Sequence, residues 1–341
     1  MRLVVEKLKR MDGSTRASQA ESILRVRGLT VEFRVRRGTL LAVDDLDLDV
    51  QRGEVLGLVG ESGCGKSVLA HSILRLTDPN EILKSGKIFF EDRDVLSFDK
   101  KELRDYRWKD VSIVFQGALN SLNPVLKIMD HMSDTVSAHE KASKTEILDR
   151  SSSLLEMVRL DAEALMGRYP HELSGGMKQR VISGMAMLLE PKLLILDEPT
   201  SSLDMLTQKF FVKLLAGIRK KMGLTMIFIT HDLATVAEIA DRVAIMYSGD
   251  IVELGEVNEI FYRPIHPYTR ALIDSVPSVV GDIERFKPIP GPIPDPVNLP
   301  PACRFHPRCP YRMDICSEVR PKHDRLESGG IVACHRWRKI K

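Results

Sequence analysis

The apolar positions of this chain fall mostly into short runs separated by segments of helical spacing. Ile23 to Phe33 alternates apolar and polar residues as a strand does. Leu46, Leu48 and Val50 alternate with Asp45, Asp47 and Asp49, which predicts a half-buried strand with one wet face. Glu54–Val59, Leu193–Leu196 and Thr225–Ile229 are short continuous runs of the kind buried inside parallel sheets. Lys87–Phe90 and Val111–Phe115 read as further strands. Val68–Leu74 reads as a helix, and from Val125 to Leu160 the spacing is helical with polar breaks. Arg242–Leu254 places Ser248-Gly249-Asp250 between two apolar stretches, which predicts a hairpin. The chain therefore reads as α/β. Seven prolines lie within the fourteen residues Pro288–Pro301, so that segment reads as an extended linker leading to a small cysteine-bearing tail.

Composition narrows the classes. A chain of 341 residues predicts about two domains, and 43% hydrophobic residues supply a sizeable core. A net charge of +3 is too small to argue for nucleic acid. No apolar run approaches the roughly 18–20 residues that cross a membrane. Met1–Lys7 is basic without an apolar core, so it does not read as a secretory signal. Residues 14–22 are polar, and 1–22 is expected to be a flexible extension. Five cysteines in this length do not make a secreted disulfide scaffold; a reducing, cytosolic compartment fits better.

The chemistry begins at Gly60-Glu61-Ser62-Gly63-Cys64-Gly65-Lys66-Ser67. A buried strand, a glycine-rich loop and a helix N-terminus make a phosphate cradle, because the glycines let backbone N–H groups converge on anionic oxygens. Lys66 would reach the β- and γ-phosphates, and the Ser67 hydroxyl would hold Mg²⁺. A chance glycine-rich turn would lack the strand before and the helix after. Cys64 reads as a small filler or as a reactive thiol. Leu193–Leu196 ends in Asp197-Glu198, two carboxylates delivered to the C-terminal end of a buried strand. Asp197 would take the Mg²⁺ water shell, and Glu198 would orient or deprotonate the attacking water; alone, such a pair could equally cap a helix. Ser174-Gly175-Gly176 is a serine at a helix start with two permissive glycines, which suits an anion site or a plain cap.

Read in order, Gly60–Ser67, Gln116, Leu173–Arg180, Asp197-Glu198, Asp204 and His231 resemble the ATP-binding subunit of an ABC transporter, over roughly residues 24–255. The resemblance implies a P-loop ATPase domain at 23–260 with a RecA-like core, an antiparallel β subdomain and a helical subdomain at about 120–180. It implies that two chains sandwich two ATP molecules, with Ser174, Gly175, Gly176 and Gln179 closing on the partner's γ-phosphate. Phe33 would stack on adenine and Val43 would line the same pocket. Gln116 would sense Mg²⁺ and the attacking water, although Gly117-Ala118 follows where many relatives carry an acidic residue and proline. Ser67, Gln116 and Asp197 would surround Mg²⁺. Lys66, Glu198, His231 and Gln116 would carry catalysis, and Asp204 would link the subunits.

Phe261–Pro264, His266–Leu272 and Cys303–Pro310, with Cys316 and Cys334 downstream, resemble the C-terminal extension (261–341) of oligopeptide and dipeptide importer ATPases. That implies peptide uptake across the cell membrane, with nickel, glutathione or oligosaccharide as alternative solutes. It implies a peripheral position on the cytoplasmic side, two integral membrane permease subunits, a second related ATPase in a heterodimer, and an extracytoplasmic solute-binding protein acting indirectly. A soluble ABC ATPase acting on nucleic acid or ribosomes is disfavoured, because the chain has one motif set and no sustained heptads. Cys303, Cys309, Cys316 and Cys334 are separated by five, six and seventeen residues, without the paired spacing of a zinc ribbon. Spacing alone leaves an iron–sulfur cluster, zinc and free thiols open. The resemblance favours a 4Fe–4S cluster, with His306, His323 and His335 as substitutes if zinc is bound.

Overall fold

The computed structural model describes residues 21–275 and 288–340. Nearly all of the expected extension 1–22 lies outside the described residues. The chain divides into two compact units, one running to Leu96 and resuming at Thr230, the other spanning Ser97–Ile229.

The first unit contains a four-stranded antiparallel sheet in the order Gly38–Gln51, Ser22–Val35, Glu81–Phe90, Arg93–Asp94. Its register follows from the apolar alternation. Leu24 faces Val50, Val26 faces Leu48 and Leu29 faces Leu46. All six are buried, whereas Asp45 and Asp47 are exposed and Asp49 is half-buried. A slip of one residue would turn this buried set to water, at about 1.5–3 kcal/mol for each large side chain.

The same unit holds Val55–Val59, buried at all five positions and paired parallel with Arg242–Tyr247. Arg242–Tyr247 returns antiparallel as Asp250–Glu256. The two-residue turn puts Ser248 at φ 45° and Gly249 at φ 89°, the left-handed pair that a tight hairpin requires. Ile331–Val332 and Asp324–Arg325, from the tail, extend this sheet edge.

Val111–Val114, Leu193–Asp197 and Thr225–Thr230, which belong to the second unit as far as Ile229, run parallel in that order. Helices surround them in sequence: Lys100–Asp105, Ile128–Ser137, Lys144–Met157, Ala162–Met166, Gly175–Met185 and Met205–Met222. Side-chain caps start several of them. Ser143 and Glu146 exchange hydrogen bonds in a capping box, and Asp161, Ser174 and Asp204 each accept from the first turn. The expected helical stretch from Val125 to Leu160 thus holds two helices, divided between Ser137 and Lys144. Among the described residues, no helix is long and apolar enough to cross a membrane.

Candidate nucleotide site

In the first unit, Gly60–Ser67 leaves the buried strand Val55–Val59 and enters the helix Lys66–Ile73. Gly65 caps that helix at φ 109° and ψ 1°, a backbone that L side chains avoid. A Cβ there would also lie 2.3 Å from the carbonyl oxygen of Ala42. Gly63 is left-handed too, at φ 79°, but a Cβ on it would meet nothing within 4 Å. Lys66 is 6% exposed, and its Nζ donates to the carbonyls of Gly60 at 2.8 Å and Glu61 at 3.0 Å. The ammonium group is therefore held over the loop by the loop's own backbone. Ser62 and Gly63 are exposed, and Ser67 is half-buried. Burial pushes the Cys64 thiol above its usual range although Lys66 opposes it, so Cys64 fills space and is not a ready thiolate.

Phe33 is half-buried near the end of its strand, across from Leu40 and Glu81. Val43 pairs with Val31 and is completely buried. His231 is exposed directly after Thr225–Thr230, and the next residue, Asp232, caps the helix Leu233–Ile239 by accepting from the Ala234 N–H.

In the second unit, Asp197 ends a strand buried at every position and is itself 1% exposed. Glu198 follows at φ 47°, an uncommon conformation for a residue with a Cβ. Its N–H still donates to Ile229 O at 2.9 Å, so the sheet ladder holds the amide while the chain turns sharply. Gln116 Nε2 donates to Glu198 Oε2 at 3.1 Å. Gly117 then turns left-handed, at φ 71°, into the short 3₁₀ turn Ala118–Asn120, which is the local form of the departure after Gln116.

The serine–glycine motif lies in the second unit. The Ser174 hydroxyl accepts from the Met177 N–H at 3.3 Å, and Gly175 is exposed. Gly176 lies so near Thr207 that a Cβ would meet its methyl at 2.7 Å. Gln179 is 3% exposed and turned into the protein. Asp204 caps Met205–Met222, accepting from the N–H groups of Leu206 and Thr207 and from Thr207 Oγ1. These bonds, the Thr207 hydroxyl first, hold its carboxyl below the usual carboxylate range. The motif helix and the helix after Asp204 are thus packed against each other.

In the tail, the N–H of Cys303 donates to Cys316 O at 3.1 Å. Met313 N–H donates to Cys316 Sγ and Arg336 N–H to Cys334 Sγ, at 3.5 and 3.4 Å. Burial first, then the neighbouring thiols, push Cys303 up to about 12 and Cys309 up to about 11; burial raises Cys334 as well. The sulfurs of Cys316 and Cys334 thus each accept a backbone N–H, a contact that a ligating sulfur also uses. Even so, among the described residues no group of three or more His, Cys, Asp or Glu is arranged to hold a metal. His306, His323 and His335 each place a ring nitrogen on an oxygen: Cys303 O, Asp250 with Ile251 O, and Val319 O.

Sequence reasoning missed a further set of residues around Glu61. Arg308 and Tyr268, both from the C-terminal extension, bind that loop residue directly. Both lie in the segments that resemble the importer extension, but nothing in their spacing marks a contact with Glu61 across 207 and 247 residues.

A glycine-built phosphate loop after one buried strand, and a carboxylate pair closing another, define a P-loop nucleoside triphosphatase. The ABC transporter family matches residues 43–201, and the C-terminal region of oligopeptide/dipeptide transporters matches 252–316, a span that includes Cys303, Cys309 and Cys316 but not Cys334. The chain is 46% identical to the dipeptide transport ATP-binding protein DppD of Caldanaerobacter subterraneus subsp. tengcongensis, over 92% of this chain and 96% of that protein. It is 39% identical to the oligopeptide transport ATP-binding protein OppD of Escherichia coli, over 93% of this chain and 94% of that protein. Among solved structures it resembles cbiO1 from Clostridium perfringens, part of the ABC transporter complex cbiONQ, with a TM-score of 0.62 at 30% identity, covering 71% of this chain and 92% of that one. It also resembles the dimeric post-hydrolysis ATP-binding cassette MJ0796 bound to ADP and Pi, with a TM-score of 0.61 at 25% identity, covering 69% and 98%. The chain belongs to the ABC transporter family, among the ATP-binding proteins of dipeptide and oligopeptide transport, and has the ABC-type P-loop ATPase fold.

Proposed function

We propose that this chain hydrolyses ATP to drive peptide uptake, and that Glu198 acts on the attacking water with Gln116 holding the carboxylate in place. The observation that carries this reading is the 3.1 Å Gln116–Glu198 hydrogen bond beside a Glu198 backbone at φ 47°. A strained, ladder-anchored carboxylate paired with an amide suits a group that must aim at one water.

Lys66 and the loop N–H groups neutralise phosphate charge, and His231 contacts the γ-phosphate. Ser67, Gln116 and Asp197 offer oxygen donors, which suit a hard divalent cation, and bound Mg²⁺ would offset the charge of the phosphates. Phe33 and Val43 serve the adenine side. Ser174, Gly175, Gly176 and Gln179 serve the ATP held by a partner ATPase, and Asp204 passes its state across. The assembly is an importer: two permease subunits, this chain with a related second ATPase on the cytoplasmic face of the membrane, and an external solute-binding protein that selects peptides. The four tail cysteines hold a 4Fe–4S cluster, a reading supported by the backbone N–H bonds to the sulfurs of Cys316 and Cys334, with zinc as the alternative. The cluster's role is structural or regulatory.

Glu198→Gln tests the reading. The amide keeps the size of the side chain and an oxygen for Gln116, so ATP affinity stays within about twofold. Hydrolysis falls about 10²- to 10⁴-fold, the range of a positioned general base. Single-turnover assays on the chain assembled with its native partner would decide it, and a loss of less than tenfold would remove Glu198 from the catalytic role. Peptide uptake by the reconstituted importer, against nickel, glutathione and oligosaccharide, tests the solute.

A further inference from the structure

We propose that the C-terminal extension positions the phosphate loop through Glu61, with Arg308 and Tyr268 as the positioning residues. The inference rests on the reading of Gly60–Ser67 as the loop that receives ATP.

Glu61 is the second residue of the loop, and each of its polar groups is held. Its N–H donates to Tyr268 Oη at 3.0 Å. Its carbonyl accepts from Lys66 Nζ at 3.0 Å. Its carboxylate receives the two-pronged fork of Arg308, Nη1 to Oε2 at 2.6 Å and Nη2 to Oε1 at 3.0 Å. Tyr268 and Arg308 lie 207 and 247 residues further along the chain. The ion pair is well shielded, with side-chain exposures of 4% for Arg308 and 20% for Glu61.

Arg308 is itself fixed. Its Nε donates to Pro290 O at 2.9 Å in the proline-rich segment, and its Nη1 also reaches Tyr247 Oη at 3.3 Å. Tyr268 is wholly buried, 4.5 Å from the Tyr247 ring, and Phe305 packs on both rings at 5.3 and 5.4 Å. Phe305 sits three residues before Arg308 in the cysteine-bearing segment. The segment that carries Cys303 and Cys309 therefore also carries the guanidinium that grips the loop.

Geometry makes this contact consequential. Lys66 uses the Glu61 carbonyl, so a shift of the Glu61 backbone moves the resting place of the phosphate-binding ammonium. A planar fork on a carboxylate restricts position more tightly than a point charge can. Small displacements of binding groups carry large penalties in affinity and rate. If the contact merely fastened the tail, breaking it would loosen the tail and leave the loop indifferent.

The test uses the full chain assembled with its native partner ATPase. Arg308→Gln should raise the ATP dissociation constant about tenfold, and Arg308→Lys should recover part of that loss. Adding Glu61→Gln to Arg308→Gln should cost little more, because both act through one contact. Hydrogen exchange without nucleotide should speed up at Glu61–Ser67 while Val55–Val59 keeps its protection. An ATP affinity within twofold of wild type, strictly additive effects, or unchanged loop exchange would each overturn the inference. Should Arg308→Gln fail to fold, Tyr268→Phe removes the acceptor of the Glu61 N–H while keeping the ring, and the same two readouts apply. The exchange measurement needs no ATP, so it decides the inference even if the wild-type chain proves not to bind ATP.

Discussion

Gly65 offers a test of the phosphate loop in which the magnitude comes from the coordinates. Replacing it by alanine adds one methyl group in two forbidden ways. The backbone at φ 109° and ψ 1° lies outside the regions open to alanine, which costs on the order of 1–3 kcal/mol. The new Cβ would also stand 2.3 Å from Ala42 O and 2.7 Å from Met246 Cε. The methionine tip can swing away, but the Ala42 carbonyl belongs to the paired strand Gly38–Gln51. Overpacking of this kind adds about 1–3 kcal/mol. Gly63→Ala is the matched control. It stands in the same loop at φ 79°, yet its Cβ would meet nothing within 4 Å, so only the backbone term of about 1–3 kcal/mol applies. Gly65→Ala should therefore cost roughly 1–3 kcal/mol more than Gly63→Ala, and its ATP affinity should fall further, because relief of the clash must move the loop. Urea unfolding followed by circular dichroism measures the first difference, and titration calorimetry with ATP measures the second. Equal destabilisation of the two variants would refute the steric argument, whatever either one did to hydrolysis.

Three further outcomes are expected. Ser174→Arg should leave the ATP affinity of the isolated chain nearly unchanged but abolish ATP-dependent pairing with the partner ATPase, read by size-exclusion chromatography; persistent pairing would contradict a composite site. Protein purified without oxygen should carry about four iron and four sulfide per chain, and Cys316→Ser should lose them while ATP binding survives; one zinc and no iron by metal analysis would contradict the cluster. Tail anchorage should depend on pH through His323 and Asp250. The Asp250 hydrogen bond lifts His323 above its ordinary 6.5, so that contribution is complete below 6.5 and fades as pH rises through the raised value. Burial works to raise Asp250, but His323 and Arg320 together hold it below its ordinary 3.8, so its contribution is present above 3.8 and fades only as pH falls through the lowered value. Hydrogen exchange at Ile331–Val332, corrected for intrinsic rates, should thus be slowest between about pH 4 and 6.5 and speed up as pH rises through the raised His323 value, and His323→Gln should remove the alkaline change.

What was legible in the sequence is what repulsion or burial demands of residue type. Val55–Val59 and Leu193–Asp197 are buried at every position, so apolar residues had to run without interruption before the two motifs. Gly65 had to be glycine because backbone and clash both require it. The Ser248-Gly249 turn announced itself through the left-handed pair it needs. The helix Lys100–Asp105 was illegible because it buries no side chain and so carries no apolar stripe. The kink after it, where Trp108 stands at φ 73°, has no glycine to mark it. The pairing of Gln116 with Glu198 was invisible for another reason: each residue was named from motif order, but a hydrogen bond across 82 residues leaves no trace in spacing.

The same limit hid how the tail is held, and the manner of holding bears on what the tail does. Its strands are only two residues long, and its buried apolar side chains are few, Phe305 and Val332 chief among them. Its attachments run instead to three carboxylates. Arg304 and Arg320 both bind Asp44, Arg320 and His323 bind Asp250, and Arg308 binds Glu61. Shielded ion pairs of this type add little net stability, since desolvation offsets most of the attraction, but a broken pair leaves a costly uncompensated charge. An anchor that contributes little strength and much exactness of position suits placement better than bracing. Asp44 and Asp250 lie beside the Ala42 and Gly249 segments that border the phosphate loop, and Glu61 lies within it. A tail meant only to stay attached could have used an apolar patch anywhere on the sheet edge. This one places its charged hooks around the loop, where a change in the cysteine-bearing segment would reach Lys66 through a single residue.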